Sequence, residues 1–138
     1  MKTKHLFLTA ILLVFSVLVV AEPVDPMRAL ETAEQFLTKD SQTKRIKSRT
    51  EAVSTYEIIY THPMPNSERV AFYVVKLGEK GFIIISGDDV ATPILGYSYT
   101  NSWPTSISAE GDTILPSQVL SYLNDMALQI ETAIEKYP

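Results

Sequence analysis

Residues 78–89 read Gly78-Glu79-Lys80-Gly81-Phe82-Ile83-Ile84-Ile85-Ser86-Gly87-Asp88-Asp89. Phe82 to Ile85 is a short, wholly apolar strand, which places it at the centre of a sheet. Gly78 to Gly81 closes a hairpin before it, with a glycine at each end to supply positive φ. The hairpin's other arm is Val70 to Leu77, a strand that contains Phe72, Tyr73, Val74 and Val75. Upstream, Val53 to Thr61 carries the strand formers Tyr56, Ile58, Ile59 and Tyr60. Between these two strands, His62-Pro63-Met64-Pro65-Asn66-Ser67 reads as a turn, because two prolines within four residues stop a ladder. Downstream, Ile94-Leu95-Gly96-Tyr97-Ser98 makes a fourth strand entered through Pro93. Four strands with short connections fit an antiparallel meander.

A helix is expected on each side of this sheet in sequence. Asp25-Pro26 is an N-cap followed by proline at the first helical position. Met27, Leu30, Ala33 and Leu37 then recur at helical spacing, with Ala29 and Phe36 beside them, so residues 26–38 form an amphipathic helix. Lys39 to Glu51 is polar and charged and reads as a linker or loop. Pro116 opens the last helix, whose core stripe is Val119, Leu123, Met126, Ile130 and Ala133 or Ile134. Its polar face carries Ser121, Asn124, Asp125, Glu131 and Glu135. The expected fold class is α+β: a four-stranded antiparallel meander packed against an N-terminal and a C-terminal helix, the two helices together covering one face. Thr100 to Leu115 remains as a long loop, and a loop of this length in a compact domain is either functional or disordered. Trp103 within it either plugs a gap against the sheet or anchors a partner, and buried packing is the default.

At the start of the chain, Leu6 to Ala21 is almost wholly hydrophobic, follows Lys2, Lys4 and His5, and ends in small residues before Glu22-Pro23. The run is shorter than the ~20 residues a membrane span needs and has the form of a secretory signal peptide. Val19 and Ala21 occupy the positions that a signal peptidase reads, so cleavage is expected between Ala21 and Glu22; the competing reading is an anchor that is never cut. The chain divides into residues 1–21 and a single domain, 22–138, exported to the periplasm or secreted. Removing residues 1–21 takes Lys2 and Lys4 but no acid, so the net charge falls from −4 to −6. That balance argues against a nucleic-acid partner, and the one basic cluster, Lys44, Arg45, Lys47 and Arg49, reads equally well as a solvated linker. A chain with no cysteine has no disulfide, no thiolate nucleophile, no thiolate metal site and no lipidated cysteine.

Residues able to do chemistry are scarce. After leader removal His62 is the only histidine, and beside Pro63 it reads as a solvated turn residue. No Gly-x-Ser-x-Gly elbow exposes a serine. Asp88-Asp89 lacks the alternation of a calcium loop and reads as a turn whose carboxylates accept backbone N–H groups. No catalytic residue, metal site or cofactor is expected, and the residues point to a monomer that acts by binding.

The segment Gly81 to Asp89, followed by Thr92-Pro93-Ile94-Leu95-Gly96-Tyr97-Ser98, resembles the prosegments of streptopain-type cysteine peptidases and the small secreted inhibitors similar to them. Gly81, Phe82, Ser86, Gly87, Asp88, Pro93, Leu95, Gly96 and Tyr97 carry the likeness and would be structural. Looser matches are Ala29, Ala33 and Phe36 in the first helix and Val119, Leu123 and Ile130 in the last. The chain ends at Pro138 without a papain-like catalytic domain, so the resemblance implies the free-standing inhibitor form, with a streptopain-like cysteine peptidase as partner. In that family the loop before the final helix reaches the active site, where an asparagine disturbs the catalytic histidine. Here the position falls near Thr113-Ile114, which implies obstruction by bulk, and Asn101 and Trp103 in the same loop are further expected contacts. The alternatives are a detached folding helper for such a peptidase, or a secreted structural or adhesive module.

Overall fold

The computed structural model describes residues 20–42 and 56–138. The hydrophobic leader up to Val19, the basic cluster Lys44 to Arg49 and the start of the first expected strand at Val53 lie outside the described residues. The elements are α1 (Pro26–Gln42), β1 (Glu57–Pro63), β2 (Val70–Lys76), β3 (Phe82–Ser86), β4 (Ile94–Ser98), β5 (Ser106–Ile107), β6 (Thr113–Ile114) and α2 (Ser117–Lys136). The four long strands form one sheet in the order β1-β2-β3-β4, every neighbouring pair antiparallel. The α+β meander with a helix at each end is the observed architecture.

The helices do not share a face. Phe72, Val74 and Ile84 pack with Trp103, Leu123, Ala127 and Ile130 on the α2 side. Their sequence neighbours Tyr73, Val75, Ile83 and Ile85 pack with Ala29, Ala33 and Leu37 on the α1 side. The sheet is therefore the middle of three layers, and the expectation of one covered face is corrected. The physical reason is legible in the strands: successive side chains of a strand point to opposite faces, so an unbroken apolar run demands burial on both.

Edge strand β1 serves both layers through a bulge. Its register against β2 shifts between Ile58, opposite Val75, and Tyr60, opposite Val74. The extra residue, Ile59, turns Ile58 to the α1 side and Tyr60 to the α2 side. The expected turn from His62 begins later. His62 pairs with Phe72 and Pro63 with Val70, so both belong to the strand, and the turn proper is closed by Met64 N–H donating to the Arg69 carbonyl at 2.9 Å. Pro63 is tolerated because an edge strand has no second neighbour to receive its missing N–H.

Asp25 caps α1 as expected: its Oδ1 accepts from Arg28 N–H at 2.9 Å. The helix continues four residues past the expected end, to Gln42, and its stripe is Ala29, Ala33 and Leu37. Met27 was placed on that stripe but is 69% exposed. In α2, Leu123, Ala127 and Ile130 are buried, and Val119, Met126 and Ile134 pack at their margin. Glu131, assigned to the polar face, is buried as well. Its carboxylate accepts from the Asn66 backbone N–H at 3.1 Å and from Asn66 Nδ2 at 2.9 Å, which ties α2 to the β1–β2 turn.

Candidate functional site

The long segment between β4 and α2 is folded. Trp103 is buried, its ring 5.5 Å from Tyr60 and 5.1 Å, edge to face, from Phe82. The indole is committed to the α2-side core and pins the segment to the sheet. From this anchor the chain rises into the hairpin β5–β6, in which Ser106 pairs with Ile114 and Ile107 with Thr113. Leu115 then returns to the core margin and Pro116 caps α2. An entirely irregular loop was expected at this place, and the hairpin corrects it.

The hairpin tip is held by its own bonds. Ser108 N–H donates to the Asp112 carbonyl at 2.8 Å, and Gly111 N–H to the Ser108 carbonyl at 3.0 Å. Ser108 Oγ accepts from the backbone N–H of Glu110 (3.2 Å) and Asp112 (3.1 Å). Gly111 has φ 88°, with nothing within 4 Å of a Cβ built there, so glycine answers to the backbone angle alone. Two isoleucines stand out from this small frame, Ile107 at 76% exposed and Ile114 at 47%. Because Ile107 pairs with Thr113 and Ile114 with Ser106, the two aliphatic side chains stand on opposite faces of the hairpin.

The four residues expected to contact a partner thus separate. Ile114 is presented to solvent. Thr113 is in the hairpin by its backbone pairing with Ile107. Asn101 is exposed at the entry to the segment, its N–H donating to Ser98 Oγ at 3.1 Å. Trp103 faces inward. Ile107 was missed, although the alternation Ser106-Ile107-Ser108 before Glu110-Gly111-Asp112 carries a hairpin signal.

The residues that carry the family resemblance build the sheet and its ends. Gly81 has φ 113°, and a Cβ there would lie 2.7 Å from the Ser98 carbonyl oxygen. Gly87 lies flat against β2, its N–H donating to the Ala71 carbonyl at 2.8 Å. Ser86 Oγ donates to the Asp88 carbonyl at 2.6 Å, and Ser86 N–H donates to the Pro93 carbonyl at 3.0 Å. Asp88 is fully buried; its carboxylate accepts from Val90 N–H at 2.9 Å and pairs with Arg69. Burial pushes the Asp88 carboxyl above its usual range, and the Val90 N–H and the Arg69 guanidinium pull it partly back. Phe82 and Leu95 pack on the α2 side, while the half-exposed Tyr97 lies 5.1 Å from Phe36 on the α1 side.

His62 is not a solvated turn residue. It is buried and stacked on Phe72, the rings 4.7 Å apart and 5° from parallel. Nε2 donates to Asn124 Oδ1 at 3.0 Å, and the Tyr60 hydroxyl, 2.8 Å away, donates to Nδ1. Desolvation holds its pKa below the ordinary imidazole value, against the opposing pull of Asn124. With both nitrogens engaged inside the core, it has no access to a substrate. Among the described residues no group of three His, Cys, Asp or Glu side chains could hold a metal ion.

A family model described as Spi protease inhibitor matches residues 21–130, which takes in α1, the whole sheet, the β5–β6 hairpin and most of α2. No curated protein and no solved structure matches the chain.

Proposed function

The chain belongs to the Spi protease inhibitor family and is an inhibitor rather than an enzyme; from that membership we propose that it blocks a streptopain-like cysteine peptidase by setting the β5–β6 hairpin across the active-site cleft. The observation that carries this reading is that Ile107 and Ile114 are exposed, one on each face of a hairpin that is hydrogen-bonded within itself and anchored by Trp103, so the finger offers an apolar side chain to either wall of a cleft. Such a finger loses little conformational freedom on binding, so the apolar area it buries counts toward affinity. Asn101 and the Thr113 position lie on the same segment and belong to the contact, whereas Trp103 supports it from beneath. The likeness of residues 81–98 to streptopain-type prosegments supports the choice of target class. A domain that covers an active site in cis can cover a related one in trans, and it then needs better contacts to replace the tether's effective concentration.

The same proposal includes an exported protein. Residues 1–21 are a signal peptide cut after Ala21, and residues 22–138 act outside the cytoplasm as one monomeric domain. The family match, which begins at residue 21, supports that boundary.

The test is a titration of a purified streptopain-like peptidase with the inhibitor, read with a small chromogenic substrate. Ile107→Ser combined with Ile114→Ser should weaken inhibition at least tenfold, with the melting temperature held within about 2 °C because both side chains are solvent-facing. Undiminished potency in the double variant would remove the hairpin as the inhibitory element. Full turnover with saturating wild-type protein would remove this target class.

A further inference from the structure

Ahead of α1, residues 22–24 lie along the Gly87–Asp89 turn as a short extra strand. Pro23 forms an antiparallel bridge with Asp88, flanked by Val24 N–H donating to the Gly87 carbonyl at 2.8 Å and Asp89 N–H donating to the Glu22 carbonyl at 3.1 Å. This kind of bridge asks nothing of the Pro23 nitrogen, which has no hydrogen to give. The Tyr73 hydroxyl donates to the Val24 carbonyl at 2.8 Å and fastens the segment to β2. With Glu22 so placed by main-chain bonds, its own nitrogen donates to Asp89 Oδ1 at 2.6 Å.

That nitrogen is the atom that changes character when a leader is cut off after Ala21. We infer that leader removal completes an N-terminal clamp, in which the new α-ammonium of Glu22 forms an ion pair with the Asp89 carboxylate. This rests on the cleavage proposed above and is independent of what the hairpin does. In the cut, a signal peptidase adds water across the Ala21–Glu22 peptide bond. The hydroxyl goes to the Ala21 carbonyl carbon and a proton to the Glu22 nitrogen, which takes a second proton from solvent to become the ammonium. The carboxylate is already aimed at that nitrogen, so the pair forms without ordering a long side chain, which is the usual penalty on exposed ion pairs. Other charges around the clamp are the Glu22 carboxylate, 3.6 Å from Arg28, the Asp25 carboxylate that caps α1, and the buried Asp88 with its partner Arg69. A partnered ammonium holds its proton to higher pH. The clamp's contribution is therefore complete below the ordinary α-amino pKa of about 7.7–8.0 and is lost as pH rises through the raised value.

The experiment uses the protein purified after export. Intact mass and N-terminal sequencing identify the first residue, and NMR then follows the α-amine through pH 6–10 in the wild type and in Asp89→Asn. The expected result is a chain that begins at Glu22, an α-amine pKa at least half a unit above the ordinary value, a return to that value in Asp89→Asn, and a smaller shift of the wild type in 1 M salt. A different first residue sinks the cleavage site and the clamp with it. A Glu22 terminus that titrates at the ordinary value, or that stays raised in Asp89→Asn, sinks the clamp alone.

Discussion

A Cβ added to Gly87 would lie 2.2 Å from the Val70 carbonyl oxygen and 2.8 Å from its carbon, whereas one added to Gly96 would meet only Ile84 Cδ1, at 3.8 Å. Both glycines belong to the segment that resembles streptopain-type prosegments, yet only the first is required by steric contact. Gly87→Ala should cost about 1–3 kcal/mol or more, since the obstacle is backbone that cannot rotate away, while Gly96→Ala should stay within about 0.5 kcal/mol; thermal denaturation of the two variants checks this. His62 offers a second prediction at this scale. Its folded pKa is depressed by burial, so the unfolded chain binds the proton more readily. Stability from this group is complete above the unfolded pKa of about 6.5 and falls as pH drops from there toward the lower folded value. Urea denaturation at pH 7.5 and pH 5.5 should show the loss, and His62→Gln should shrink the difference between the two.

At the level of the element, the segment from Thr100 to Leu115 divides its labour. Trp103 is 8% exposed and holds the base, while Ile107 and Ile114 are displayed on opposite faces of the hairpin. From sequence, Trp103 is both a candidate contact and, by default, a packed side chain, and the buried indole settles the choice for packing. Trp103→Ala should cost about 3–5 kcal/mol by opening a cavity between Tyr60 and Phe82, and should weaken inhibition as a consequence of the lost anchor. Ile114→Ser alone should leave unfolding untouched. A melting temperature unchanged by Trp103→Ala would show that the hairpin is not pinned where the structure places it. The α2 helix is fastened in two further ways, by Asn124 to His62 and by Glu131 to Asn66, so its polar residues carry structural work that a helical wheel assigns to solvent.

Across the whole molecule, two cores share one sheet. The α1-side and α2-side clusters are built from alternate residues of the same strands β2 and β3. Loosening one layer exposes the backs of strands that the other layer needs, so the two should unfold together. Trp103 belongs to the α2 side only, which makes its fluorescence a local reporter, whereas far-UV circular dichroism reports both helices. The two denaturation curves should superimpose with one midpoint. Separate midpoints would mean that the layers melt independently and that the sheet does not couple them. This coupling also steadies the hairpin, because the finger's base is part of a core that spans β1, β3 and α2.

The local sequence by itself determined the four strands of the sheet in outline, their order and the helix starts, though not the β5–β6 hairpin. The apolar run Phe82 to Ile85, the glycines at 78 and 81, the Asp25 cap and Pro116 each specify backbone through propensity and turn chemistry that act within a few residues. It also ruled out thiol chemistry, by composition. Tertiary structure decided which face each helix covers, that His62 and Glu131 go inside, that Trp103 anchors while Ile107 is displayed, and that the Glu22 nitrogen meets Asp89. Each of these depends on a contact between residues far apart in the chain, such as His62 with Asn124 or Glu22 with Asp89. A pattern read along the chain specifies which side chains are apolar and how often they recur, but it carries no coordinate for the partner that arrives from some sixty residues away.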